Sequence, residues 1–150
     1  VGNLLDKKYV KELINLSNKL NISKEIDFIP GLNHKDLENL YNRASIFIFP
    51  SIIENCPNIL LEAMSHSLPI LGINLSPIPE FGGSAIKYFD YNNPNQLAEK
   101  IEYYLQSPEL LERMKIDSFE RSKLFSWKNF TLKVIDLCHN AKNINNSQTL

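Results

Sequence analysis

Apolar positions run through this chain in two alternating rhythms. Tyr9, Leu13, Leu16 and Leu20 return at the spacing that lines one face of a helix. A short apolar burst follows in "EIDFIPG" (25–31), closed by Pro30-Gly31 as a buried strand would be. Leu37, Leu40 and Tyr41 mark a second helix, "IFIF" (46–49) a strand ended by Pro50, and "NILLEAM" (58–64) a third helix. Strands are expected at "LPILGI" (68–73) and, after a Pro-rich turn, at "AIKYF" (85–89). A chain that alternates helices with short apolar strands pairs those strands in parallel, because a parallel crossover needs room for a helix. The fold class is therefore α/β, a doubly wound parallel sheet with helices on both faces.

Beyond Asp90 the strand rhythm stops. Asn93-Pro94, Ser107-Pro108 and Ser126 each place a capping residue ahead of a helical run, so the C-terminal part is expected to be helical. The last stretch, "KNINNSQTL" (142–150), is polar and aperiodic and reads as a tail behind a domain of residues 1–141.

Composition narrows the function. With 150 residues, 43% of them hydrophobic, the chain can build one real core. A formal net charge of -1 without a basic cluster gives no footprint for nucleic acid. Cys56 and Cys138 sit in no CxxC or Cys/His spacing, which points to free thiols in a reducing compartment, the cytoplasm. No targeting segment and no apolar run long enough to span a bilayer is visible. The Asn-x-Ser/Thr triplets at Asn15, Asn21, Asn74, Asn129 and Asn145 are chance matches in an Asn-rich chain. His66 and Cys56 lack a metal-ligand spacing, and His34 reads as a helix start. Phe28, Phe47, Phe49, Tyr103 and Tyr104 read as core or helix-face packing. Three scattered His supply no Ser/His/Asp triad, and no glycine-rich phosphate loop is present.

The chemistry concentrates in "FPSIIENCPNILLEAMSHSLPI" (49–70). In an open parallel sheet the ligand crevice lies beyond the carboxyl ends of the strands, so the loop after "IFIF", with Glu54, faces it. Pro57 at the first helical position makes Cys56 the cap, with Asn55 the alternative; a thiol is a poor acceptor, which leaves the N–H groups of Asn58, Ile59 and Leu60 open as an anion site. Glu62 lies about 7.5 Å further along the helix. Alone, each Glu is an ordinary surface acid. As a pair flanking a phosphate site they are better suited to accept hydrogen bonds from neutral hydroxyls, as a sugar and a ribose joined by pyrophosphate would offer.

The stretch "PSIIENCPNILLEAMSHSLPIL" resembles the signature of the retaining glycosyltransferases of family 4, in which a Glu, seven residues and a second Glu precede Ala-Met and a turn into Pro-Ile/Val. The similarity extends through "FIPGLNHKDLENLYNRASIFIFPS", "PIPEFGG" and "FSW". It implies the C-terminal half of a GT-B enzyme, which binds a nucleotide diphosphate sugar without a metal or other cofactor. It further implies that Glu54 meets hydroxyls of the transferred sugar as the catalytic-site acid, that Glu62 holds the ribose, that Asn58, Ile59 and Leu60 lie beside sugar and diphosphate, and that Gly31, Leu32 and Asn33 flank the base. Asn55 stands where family members often have Gly, and "NLS" before "PIPE" where a Gly pair is common.

The family's Arg/Lys pair for the diphosphate, the first strand of this lobe and the N-terminal acceptor domain are expected to lie upstream of residue 1. The chain is thus expected to be a piece of a larger enzyme, inactive by itself, whose contact with the inner face of the cell membrane, if any, belongs to the other half. A non-catalytic nucleotide-binding or interaction module of the same fold is the rival, since fold alone does not fix function.

Overall fold

The structure, a computed structural model, describes residues 6–147, with side-chain surroundings through residue 140. The chain divides into two compact units, residues 1–43 and 44–150. In the first, α1 (Lys7–Lys19) opens on Asp6, whose carboxylate accepts from the Lys8 and Tyr9 amides at 3.0 and 2.9 Å. It ends at Leu20, followed by Asn21 in the left-handed region at φ 57°. The helical rhythm is as expected, yet Tyr9, Leu16 and Leu20 are exposed and Leu13 half-buried.

The stretch 25–31, expected as a strand, joins no ladder among the described residues. Periodicity reports an apolar burst but not a pairing partner, and Pro30 has no N–H to give one. Helix α2 (His34–Arg43) follows, with the Asp36 amide donating to Asn33 Oδ1 at 3.0 Å while Asn33 Nδ2 donates to Asp36 Oδ2 at 2.7 Å, a reciprocal cap.

The second unit is built on three parallel strands, β1 (Phe47–Phe49), β2 (Ile70–Ile73) and β3 (Lys87–Phe89), in the order β1-β2-β3. Phe47 pairs with Ile70 and Phe49 with Gly72; Leu71 pairs with Lys87 and Ile73 with Phe89. Central β2 is buried along its whole length, the continuous apolar run that a parallel sheet covered by helices demands. Helix α3 (Asn58–Ser65) connects β1 to β2 and buries Leu60, Ala63 and Met64 completely. Ile78, Ile86, Phe89 and Met114 complete this core.

The Pro-rich segment between β2 and β3, expected as a turn, holds a five-residue helix, α4 (Ile78–Gly82). Proline is no breaker there, because the first helical turn needs no N–H from it. Helices α5 (Pro94–Leu105), α6 (Pro108–Ser122) and α7 (Trp127–Ser147) follow, with a 3-10 turn at Lys123–Phe125. Asn93 caps α5 by accepting from Gln96 N at 3.1 Å, and Ser126 caps α7 by accepting from Asn129 N at 3.2 Å. Ser107 precedes α6 as expected, but its hydroxyl turns back to donate to the Tyr103 carbonyl at 2.8 Å. α7 runs to Ser147 and takes in most of the stretch expected as a tail, since adding a residue to a long helix is far easier than starting one.

Candidate functional site

The candidate site lies where β1 ends. Residues 50–57 lead from its carboxyl end to α3, and within them Glu54 is half-buried. Among the described residues no hydrogen bond or ion pair engages its carboxylate.

The start of α3 differs by one residue from the expected position. Pro57, at φ -78° and ψ 70°, is itself the cap, Asn58 is the first helical residue, and neither Cys56 nor Asn55 caps the helix. The cause is local: ψ of Pro57 lies outside the helical range, so the turn begins after it. The outcome at the helix end is nevertheless an uncapped one, because a proline side chain carries no acceptor. The Asn58 amide is already committed, donating to the Cys56 carbonyl at 2.8 Å. The Ile59 and Leu60 amides meet no acceptor among the described residues, so two of the three expected donors are open. The Leu60 side chain is fully buried in the core, while Asn58 and Ile59 are exposed. Glu62 lies on the exposed side of α3, four residues into the helix, and its backbone carbonyl accepts from the Ser65 hydroxyl at 2.7 Å and the His66 amide at 3.1 Å.

Gly31, Leu32 and Asn33 belong to the first unit, where Asn33 spends its side chain on the α2 cap. No group of three or more His, Cys, Asp or Glu among the described residues is arranged to hold a metal ion. Among those residues, too, no helix is long and apolar enough to cross a membrane.

Two features escaped the sequence reading. A cavity of about 370 Å³ opens beside the start of α3, lined by Cys56, Asn58 and Leu61 together with Phe81, Phe125, Trp127 and Phe130. Its signals, "PIPEFGG" and "FSW", were visible only as parts of a resemblance. The second is Arg121, which reaches from α6 to α4: its Nε donates to the Phe81 carbonyl at 2.9 Å and its Nη2 to the Glu80 carbonyl at 2.7 Å. Beside it the Tyr88 hydroxyl donates to the Gly83 carbonyl at 2.7 Å. Burial pushes the Tyr88 phenol above its ordinary range, and the Arg121 charge opposes the rise.

A short parallel sheet with an uncapped helix end beyond its first strand defines a Rossmann-like lobe. The solved sucrose-phosphate synthase of Thermosynechococcus elongatus superposes on 95% of the chain with a TM-score of 0.79 at 19% identity, over 37% of its own length, and the fold is thereby that of a GT-B lobe. The family model for glycosyl transferases group 1 matches residues 1–121, and the chain belongs to this family.

Among its relatives, the O-antigen chain mannosyltransferase B of Escherichia coli is 32% identical over 111 residues, 74% of this chain and 29% of that protein. Spore coat protein SA of Bacillus subtilis is 32% identical over 125 residues, 80% of this chain and 33% of that protein. The chain thus spans about a third of the length of these relatives.

Proposed function

We propose that this chain is the donor-binding lobe of a retaining glycosyltransferase, which takes a sugar from a nucleotide diphosphate sugar and passes it to an acceptor held by another lobe of the whole protein. The setting is the cytoplasm and the product a bacterial polysaccharide or glycolipid, a reading supported by the mannosyltransferase among the relatives. The observation that carries the proposal is the pair of carboxylates around the open start of α3, Glu54 ahead of it without a partner among the described residues and Glu62 exposed inside it. The Ile59 and Leu60 amides, with the positive end of the helix, take oxygens of the diphosphate and stabilise the charge that builds on it as the sugar leaves. This fixed positive field needs no metal ion. Glu54 accepts from hydroxyls of the transferred sugar and Glu62 from those of the ribose, both neutral groups that leave the carboxylates clear of the phosphates.

The test is a ligand-detected NMR titration of UDP, GDP and ADP against the chain and against Glu62→Ala, with the free nucleosides as controls. One base is expected to be preferred, and the substitution to weaken that nucleotide about tenfold, the loss of a hydrogen bond to a charged group. Equal signals from all three that ignore Glu62 overturn the reading and favour an interaction module of the same fold.

A further inference from the structure

We infer that Arg121 is a positioning residue: from the last turn of α6 it holds α4 as the wall of the sugar side of the donor site. The inference rests on the donor-binding reading above. Helix α4 has five residues and no side-chain cap at its start, too little to hold itself. Its terminal carbonyls lack helical partners, and those of Glu80 and Phe81 are met by the two arms of the Arg121 guanidinium, across 41 and 40 residues of sequence. The same guanidinium lies over the Phe125 ring at 5.3 Å, and that ring in turn meets Phe81 at 5.3 Å between centroids.

Gly83 completes the seat. A Cβ there would stand 3.2 Å from Arg121 Cζ, and its backbone is in the left-handed region at φ 56°. The Arg121 contact is thus built into the "FGG" sequence. What it positions is Phe81, which lines the same cavity as Asn58 and Leu61 of α3. A small rotation of α4 shifts that wall relative to the open α3 amides, where the bond between sugar and diphosphate would lie.

The role separates two ligands. A nucleoside diphosphate meets the α3 end alone, whereas a sugar nucleotide also meets the wall. The experiment compares GDP with GDP-mannose, and UDP with UDP-glucose, on the wild-type chain, Arg121→Met and Arg121→Lys by ligand-detected NMR. Hydrogen exchange at the Gly83 amide, which donates to the Pro79 carbonyl at 2.9 Å, reports on α4 directly.

Arg121→Met is expected to speed Gly83 exchange about tenfold and to weaken the preferred sugar nucleotide about tenfold, with the matching diphosphate changed less than about twofold. Arg121→Lys is expected to fall between, since an ammonium keeps the charge but not the planar fork. Equal losses for diphosphate and sugar nucleotide would show a general loss of structure and overturn the inference, as would unchanged Gly83 exchange. If the wild-type chain binds neither ligand, the donor reading falls and takes the sugar-side role with it; if it binds both and no Arg121 variant separates them, the positioning role alone falls.

Discussion

Helices α3 and α4 solve the same problem in opposite ways. Each follows the carboxyl end of a strand, each begins behind a proline, and neither has a side-chain cap. α3 is anchored by apolar burial, with Leu60, Ala63 and Met64 fully enclosed. Its Ile59 and Leu60 amides are therefore spared from structural duty and meet no acceptor among the described residues. α4 buries Ile78 and Gly82, and its carbonyl end is held by a polar clamp from a distant helix. Apolar anchoring leaves polar backbone groups available for a ligand, while polar anchoring consumes them.

The largest expected effect lies on the α3 side. Leu60→Ala empties a fully enclosed position on the helix that packs against α6, and should cost about 2–5 kcal/mol of stability. Urea unfolding followed by circular dichroism measures it. A cost below about 1 kcal/mol would mean that α3 is not held by its core face, and the contrast with α4 would lapse.

Next comes Gly82→Ala in α4. The added Cβ would stand 2.4 Å from Ile86 Cδ1, 2.5 Å from Ile86 Cγ1 and 2.6 Å from the Tyr88 hydroxyl. Ile86 is itself buried and has little room to retreat, so a loss of about 1–3 kcal/mol is expected. The same unfolding experiment sharpens the comparison if Gly83 exchange quickens as well. A neutral result would mean that α4 shifts easily and that Arg121 holds it loosely.

The contrast also explains what was legible in the sequence. Local rhythm is a property of neighbouring residues, so β1, β2, β3 and the helices from α5 onward were readable, with strand starts one or two residues early. The positions of Glu54 ahead of α3 and Glu62 within it were readable too, since they follow from where the helix begins. The stretch 25–31 was misread because a strand is made by its partner, which periodicity does not contain. The α3 cap was misplaced by one residue because the choice between Cys56 and Pro57 depends on one backbone angle. α4 and its clamp were missed altogether. Its prolines carry a turn signal, and Arg121 lies 40 and 41 residues from the two carbonyls it satisfies. The wall of the cavity was illegible where the open amides beside it were not.

The smallest expected effect concerns pH and the polar side of α4. The Tyr88 hydroxyl, half-buried, donates to Gly83 at the end of the helix, and burial raises its pKa while Arg121 draws it down. In the unfolded chain the phenol ionises near pH ~10. In the folded chain it holds its proton to higher pH, so the folded state binds more protons once the unfolded phenol begins to ionise, and stability falls as pH rises. The contribution is therefore complete below about pH 10 and is lost as pH climbs through the folded value. Ionisation also removes the hydrogen that Gly83 accepts. Because the sequence holds six tyrosines, the effect must be isolated by difference. Melting temperatures of wild type and Tyr88→Phe should differ at neutral pH and converge above pH ~10, since phenylalanine has no proton to lose. Parallel curves across that window would show that Tyr88 does not couple its proton to folding, and the polar hold on α4 would then rest on Arg121 alone.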